Sequence, residues 1–332
     1  MDVVETTRVT SEDVARLAKV SRATVSYVLN DKRGQKISKK TREAVRRAAE
    51  ELGYRPNEAA RRLASGQSRL VLFVVPRVPL GEMVVEMVGT LSDELAARGL
   101  TLSTHFQSSG DDPVVDVAQR LDASAVVAMA PLPSGQDEQL SAAGIRVVSS
   151  LGEPDTPSFG FQDAVGSMQV RHLHALGHRR IAFAGSDVAG LEPFRVGREA
   201  GVRATAADLG LPEPVVESFA TDGSDAAAIV RRWHDDGVTA VAAYNDDVAF
   251  VVLHGIRTAG LSCPRDLAVI GMDGERGGLV SAPPLTTIKP DLATWARVAS
   301  SVVVAALDPE DAEAMPMPDL AEGMPVVRRQ ST

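Results

Sequence analysis

The sequence predicts a small all-α head followed by an α/β body built as two lobes of parallel sheets. Three observations predict it. Short, capped helical segments stand close together near the N-terminus. From Leu70 onward, apolar runs alternate with amphipathic stretches, and that alternation passes through two successive sets. At 332 residues the chain exceeds one ordinary core, so several domains are expected.

In the head, Thr10 is placed to cap a first helix with Asp13 reciprocating, and Val14, Leu17 and Ala18 repeat at helical spacing to about Lys19. Val20-Ser21 supplies a tight connection and a new cap. Ala23, Thr24, Val25, Val28 and Leu29 then fill a second short helix ending near Asn30-Asp31. Ser38 caps a third, carrying Ala44, Val45, Ala48, Ala49 and Leu52, and Gly53 closes it. Two helices of about eight residues joined by about three have the dimensions of a helix-turn-helix. Charge agrees with a nucleic-acid partner. Residues 1–66 hold 15 Lys and Arg against 9 Asp and Glu, a net of +6. The remainder holds 20 against 35, a net of −15 within the total of −9. In such a motif the second helix enters the major groove of double-stranded DNA, so Arg22, Ala23 and Tyr27 are the candidates for base readout. Ser21, Thr24, Ser26, Asn30 and Lys32 are candidates for phosphate contacts, which position without specifying.

In the body, Val71–Val75, Leu100–His105, Ala125–Ala130 and Ile145–Ser149 read as strands of a first set. Phe159–Phe161, Arg180–Ala184, Val215–Phe219, Thr239–Ala243 and Leu267–Gly271 read as a second. Strand-helix alternation of this length implies parallel sheets with helices on both faces and a cleft between two lobes. Ligands of open α/β sheets bind beyond the carboxyl ends of the strands. Those ends include Pro76-Arg77, Met129-Ala130-Pro131, Gly185-Ser186-Asp187, Tyr244-Asn245-Asp246 and Met272-Asp273. Each Asn or Asp also has the alternative role of capping the next helix.

The run Val20-Ser21-x-Ala23-Thr24-Val25-Ser26-x-Val28-Leu29-Asn30, with Leu52-Gly53-Tyr54-Arg55-Pro56-Asn57 and Ala60-Arg61-x-Leu63, resembles the head of the lactose-repressor (LacI/GalR) family. Leu176-Gly177-His178-Arg179-Arg180-Ile181, Arg198-x-x-Gly201, Asn245-Asp246, Ile270-Gly271-x-Asp273 and Pro284-Leu285-Thr286-Thr287-Ile288 extend the likeness through the body. The resemblance implies a periplasmic-binding-protein-like body used as a sensor, controlling a transcriptional repressor that binds a pseudo-palindromic operator as a homodimer. It adds Thr10, Asn57, Ala60, Arg61 and Leu63 to the DNA-contacting set. Leu63 would wedge into the minor groove from a hinge helix. For a small-molecule effector it implies Arg198, Asn245, Asp246 and Asp273, and Arg77 at the end of the first strand and Asp163 at the start of the second lobe join them as candidates.

The expected organisation is a head over 1–56, a hinge over 57–68, a first lobe over 69–158 plus about 289–318, and a second over 159–288 plus about 319–332. Tyr27 departs from the family, where many relatives carry Arg. The segment after the first strand departs too, with Arg77 and Pro79-Leu80-Gly81-Glu82-Met83 in place of an Asp and an aromatic pair. That weakens a sugar specifically and leaves open whether Arg77 receives an anion or pairs with Glu82.

A lone Cys263 excludes an internal disulfide, Met1–Thr10 does not read as a signal peptide, and no apolar stretch reaches the roughly 20 residues needed to span a bilayer. A cytoplasmic protein without membrane association is therefore expected. His172, His174 and His178 lack the companions of a metal site, and neither a phosphate loop nor a nucleophile elbow is present, so no cofactor and no enzyme activity are expected.

Overall fold

The computed structural model describes residues 9–29, 37–54, 68–107, 113–149, 162–308 and 324–332. The chain divides into two compact units, Met1–Ser68 and Arg69–Thr332.

The first unit contains α1 (Ser11–Ala18), α2 (Arg22–Leu29) and α3 (Lys39–Glu51). Each start is set by a side chain that satisfies backbone N–H groups left open at a helix end. Thr10 and Asp13 form the reciprocal capping box of α1, with the Thr10 N–H donating to Asp13 Oδ2 at 2.9 Å. Ser21 Oγ accepts the Thr24 N–H at 3.1 Å, and Ser38 Oγ accepts that of Thr41 at 3.1 Å. Val14, Val25, Val28, Val45 and Ala48 meet in one buried core that draws on all three helices.

The second unit holds two sheets. The first is built from β1 (Leu70–Val75), β2 (Thr101–Phe106), β3 (Ala123–Ala128) and β4 (Arg146–Ser149), ordered β2-β1-β3-β4 and parallel throughout. The connecting helices are α4 (Glu82–Ala97), α5 (Val114–Arg120) and α6 (Gln136–Ala142). β1 is an unbroken apolar run because both faces are covered. Val71, Phe73 and Val75 enter one core, and Leu72 and Val74 enter another across the sheet.

The second sheet follows α7 (Gln162–Ala175). It comprises β5 (Ile181–Ser186), β6 (Val215–Phe219), β7 (Ala240–Ala243), β8 (Ala268–Met272), β9 (Thr286–Ile288) and β10 (Val326–Val327), ordered β10-β9-β8-β7-β5-β6. Among the described residues only the β10–β9 pairing is antiparallel. Its helices are α8 (Glu192–Asp208), α9 (Ala226–Asp235), α10 (Asp246–Thr258) and the short α11 (Gly277–Val280). After β9 the chain passes into α12 (Leu292–Leu307), whose Leu292, Trp295, Ala299 and Val303 join the core of the first sheet. It then returns to the second sheet as β10. Two-lobed parallel α/β architecture is therefore present as the alternation predicted. The expected strand at Phe159–Phe161 and the hinge at 57–68 (apart from Ser68) lie outside the described residues.

Candidate functional site

The head presents the start of α2 outward. Ser21, Arg22 and Ala23 are exposed, while Val25 and Val28 face the core. Arg22 Nε donates to Ser11 Oγ at 3.1 Å, which holds the guanidinium stem beside α1 at the rim of the candidate groove-facing surface. Ser21 and Thr24, expected on phosphates, bond each other through their hydroxyls at 2.9 Å, and Ser21 caps α2 by accepting the Thr24 N–H, as Thr10 caps α1. Their first role here is thus to fix the helix starts. Ser26 and Tyr27 are half-buried along the same helix. Asn30, Lys32, Asn57, Ala60, Arg61 and Leu63 lie outside the described residues.

In the body, a cavity of about 440 Å³ opens at the carboxyl ends of the strands of both sheets. Arg198 is its central charge and is 4% exposed. Its position follows from a glycine seam between α7 and α8. A Cβ at Gly201 would lie 2.7 Å from the Asp163 carbonyl carbon, one at Gly166 would lie 2.8 Å from the Val202 nitrogen, and one at Gly197 would lie 2.8 Å from Gln162 Cβ. Only hydrogen atoms fit there, so the two helix backbones touch, and Arg198 is fixed at the seam. Its Nε donates to Gln162 Oε1 at 2.7 Å and its Nη1 to the Tyr244 carbonyl. The guanidinium lies 4.5 Å from the centre of the Tyr244 ring, a cation–π contact.

Asp273 completes the polar end. It follows β8 at φ +116°, a backbone conformation that a non-glycine residue holds only under constraint. The constraint is visible: the Asp273 N–H donates to the Ile288 carbonyl at 3.0 Å, and the next two N–H groups donate to Thr287 Oγ1 at 3.3 Å and Asp246 Oδ2 at 2.8 Å. Burial pushes the Asp273 carboxyl up to about 8, against the pull of Arg198 and with help from neighbouring carboxylates. Its Oδ1 is buried and, among the described residues, has no hydrogen-bond partner. Asp273 is among the residues that line the cavity, and a buried polar atom without a partner calls for one.

Asn245 also lines the cavity, and at the same time its Oδ1 accepts the Val248 N–H at 2.9 Å and caps α10. The capping alternative therefore holds, and it leaves Asn245 in the cavity wall.

Three sequence expectations need correction. Arg77 is exposed and is not among the cavity-lining residues. The Val78 N–H bonds the Pro76 carbonyl at 2.9 Å, and the turn presents Val78 and Pro79 to the cavity. Asp163 is likewise exposed; its backbone rests on Gly201, and the neighbouring Gln162 reaches the site. Asp246 is fully buried away from the lining. It accepts Thr287 Oγ1–H at 2.7 Å and the Glu275 N–H at 2.8 Å, clamping the Asp273 loop to β9. Burial pushes its carboxyl up to about 6.

Tyr244 and Met129 were named from sequence only as parts of strand ends, and Gln162, Met87 and Trp295, which also line the cavity, were not singled out. The Gly197/Gly201 spacing, two small residues on one helix face, was the available signal for the α7–α8 contact that brings Gln162 in.

Residues 10–57 match the family of bacterial regulatory proteins, lacI family, and residues 170–332 match a periplasmic binding protein-like domain. The HTH-type transcriptional regulator CelR of Thermobifida fusca is 32% identical, with 92% of this chain and 94% of that one covered. The chain belongs to the LacI family of bacterial regulatory proteins. It is a DNA-binding transcriptional regulator of that family. The lactose operon repressor of Escherichia coli is 29% identical over 85% of this chain and 80% of its own. Among solved structures, the lac repressor dimer bound to operator and the anti-inducer ONPF matches with a TM-score of 0.76 at 25% identity, covering 98% of this chain and 99% of that one. A CelR–cellobiose complex shares the fold, with a TM-score of 0.66 at 24% identity over 98% and 100% of the two chains. Among the described residues no helix is long and apolar enough to cross a membrane.

Proposed function

We propose that this LacI-family chain is a repressor that binds a two-fold symmetric operator as a homodimer and is controlled by a small-molecule effector in the cavity of its body. The observation that carries the reading is the buried Asp273 Oδ1, without a partner among the described residues, beside Arg198, in a chain whose head leaves Ser21, Arg22 and Ala23 exposed on a helix-turn-helix. Arg22 is assigned to a guanine edge, a contact worth about 1–3 kcal/mol of discrimination. Tyr27 stands further along the same helix and would alter base preference at its position. Leu63 is assigned to the minor-groove wedge, with Asn57, Ala60 and Arg61 on the hinge.

The body is read as two effector-binding lobes, 69–158 with about 289–318 and 159–288 with about 319–332. Support for this division comes from α12 packing on the first sheet and β9 and β10 joining the second. The effector would be held by Arg198, Asn245 and Asp273, with Gln162 supporting the arginine. It shifts operator affinity only by binding one lobe arrangement better than another. A carbohydrate or similarly polar molecule suits these groups, and cellobiose is bound by the related CelR.

The test is selection of bound sequences from a random DNA pool, followed by operator titration with and without candidate effectors. A two-fold symmetric consensus supports the dimer; an asymmetric consensus refutes it.

A further inference from the structure

Arg22 is the first residue of α2, and Ser11 is the first residue of α1. Both helix starts are fixed. Thr10 and Asp13 close the capping box of α1, and Ser21 Oγ accepts the Thr24 N–H at 3.1 Å at the start of α2. Behind them, Val14 and Ala15 share one core with Val25 and Val28. The half-buried Ser11 therefore stands on a rigid platform, and its Oγ accepts the Arg22 Nε–H at 3.1 Å.

That bond selects how the guanidinium can be used. An arginine fork can grip two acceptors end-on, through Nη1 and Nη2, or side-on, through Nε and one Nη. With Nε given to Ser11, the end-on pair remains, and among the described residues neither of those nitrogens has a hydrogen-bond partner. Charge is kept as well. Asp13, in the same turn as Ser11, is taken up by Thr10 and Arg16, and Arg22 forms no ion pair among the described residues. A neutral hydroxyl thus aims the guanidinium without cancelling its charge. A long side chain held in this way has less rotamer freedom to lose when it meets a base.

We propose that Ser11 is a positioning residue for operator readout, whose hydroxyl turns Nη1 and Nη2 of Arg22 toward O6 and N7 of one guanine. This rests on the assignment of Arg22 to a guanine edge and names the residue that makes the contact selective.

The experiment is selection of bound sequences from a random duplex pool by the full chain, followed by anisotropy titration of the consensus duplex and its single-base variants. The parent should show a guanine preference that Arg22→Ala abolishes. At that position Ser11→Ala should lower the preference at least twofold and up to about tenfold, the worth of one hydrogen bond. Preferences at the other positions should stay within about twofold. Ser11→Thr, which keeps a hydroxyl, should hold the parental preference within about twofold. Thermal unfolding reports whether the head of Ser11→Ala stays folded; if it does not, Ser11→Thr and Ser11→Val, nearly equal in shape and differing in the hydroxyl, repeat the comparison.

A guanine preference in Ser11→Ala within twofold of the parent, an equal loss at every position, or a loss in Ser11→Thr as large as in Ser11→Ala would each overturn the role of Ser11 while leaving Arg22 as the reader. If no guanine preference depends on Arg22, the assignment of Arg22 fails, and the role of Ser11 with it.

Discussion

The α7–α8 seam makes a prediction in which one kind of substitution has opposite signs at two glycines. At Gly201 an added Cβ would lie 2.7 Å and 2.9 Å from the carbonyl carbon and Cα of Asp163, inside the 3.0 Å that real Cβ atoms keep, and would overlap the carbonyl oxygen itself. All three are backbone atoms, so no rotamer change relieves them and the helices must part. Overpacking of this kind costs about 1–3 kcal/mol, and a rigid backbone contact places Gly201→Ala at the upper end, near 3 kcal/mol. For a domain of this size each kcal/mol shifts the midpoint by roughly 2–4 °C, so a fall of about 6–12 °C is expected.

Gly89 lies inside α4 with nothing within 4 Å of an added Cβ. There Gly89→Ala removes only the entropic cost of a helical glycine and should stabilise by about 0.5–1 kcal/mol. The assay is thermal unfolding of the two purified variants, followed by circular dichroism. Because Arg198 sits between Gly197 and Gly201, parting the helices should also weaken effector binding in Gly201→Ala but not in Gly89→Ala. A Gly201→Ala midpoint within about 1 °C of the parent would refute the claim that backbone contact at the seam positions Arg198.

Three further outcomes are expected. Arg198→Ala should abolish the effector response, and by orphaning Gln162 Oε1 and the Tyr244 carbonyl it should cost about 1–3 kcal/mol of stability, with operator affinity nearly unchanged; a retained response in operator titrations would move the site elsewhere. Burial raises the folded-state pKa of Asp246 to about 6 and of Asp273 to about 8 from an ordinary 3.8, so the folded protein holds more protons than the unfolded chain between those values. These two groups therefore stabilise the fold most below about pH 4, and their contribution is lost as pH rises to about 8; Asp273→Asn should flatten the upper part of that slope in denaturant titrations across pH. Leu63→Ala, on the hinge, should weaken binding to the selected operator much more than to random duplex, and equal loss on both in anisotropy titrations would sink the wedge assignment.

Local chemistry was sufficient for much of this protein. The caps at Thr10, Ser21 and Ser38, the helical spacing of Val14, Val25, Val28 and Val45, and the apolar runs of β1, β7 and β8 can be read directly, because each depends on neighbours a few residues away. The strand-helix alternation of the two sheets was legible for the same reason, as was the place of Asn245 and Asp273 at strand ends, whereas Arg198 came only with the family resemblance.

Tertiary structure decided which way side chains face once two sheets oppose each other. From sequence, Arg77 and Pro79, or Gln162 and Asp163, are equally adjacent to the cleft. The turn after Pro76 and the contact of Gly201 with the Asp163 backbone select one of each pair. Asp246 looks like a second ligand-binding carboxylate beside Asn245, yet its partners are Thr287 and Glu275, 41 and 29 residues away in the chain. The gathering of the cavity's charged, hydroxyl and carboxamide side chains on the second-sheet side is likewise invisible locally. It arises only where Met83, Met129 and Trp295, scattered over more than two hundred residues, meet across the cavity from Arg198 and Asp273.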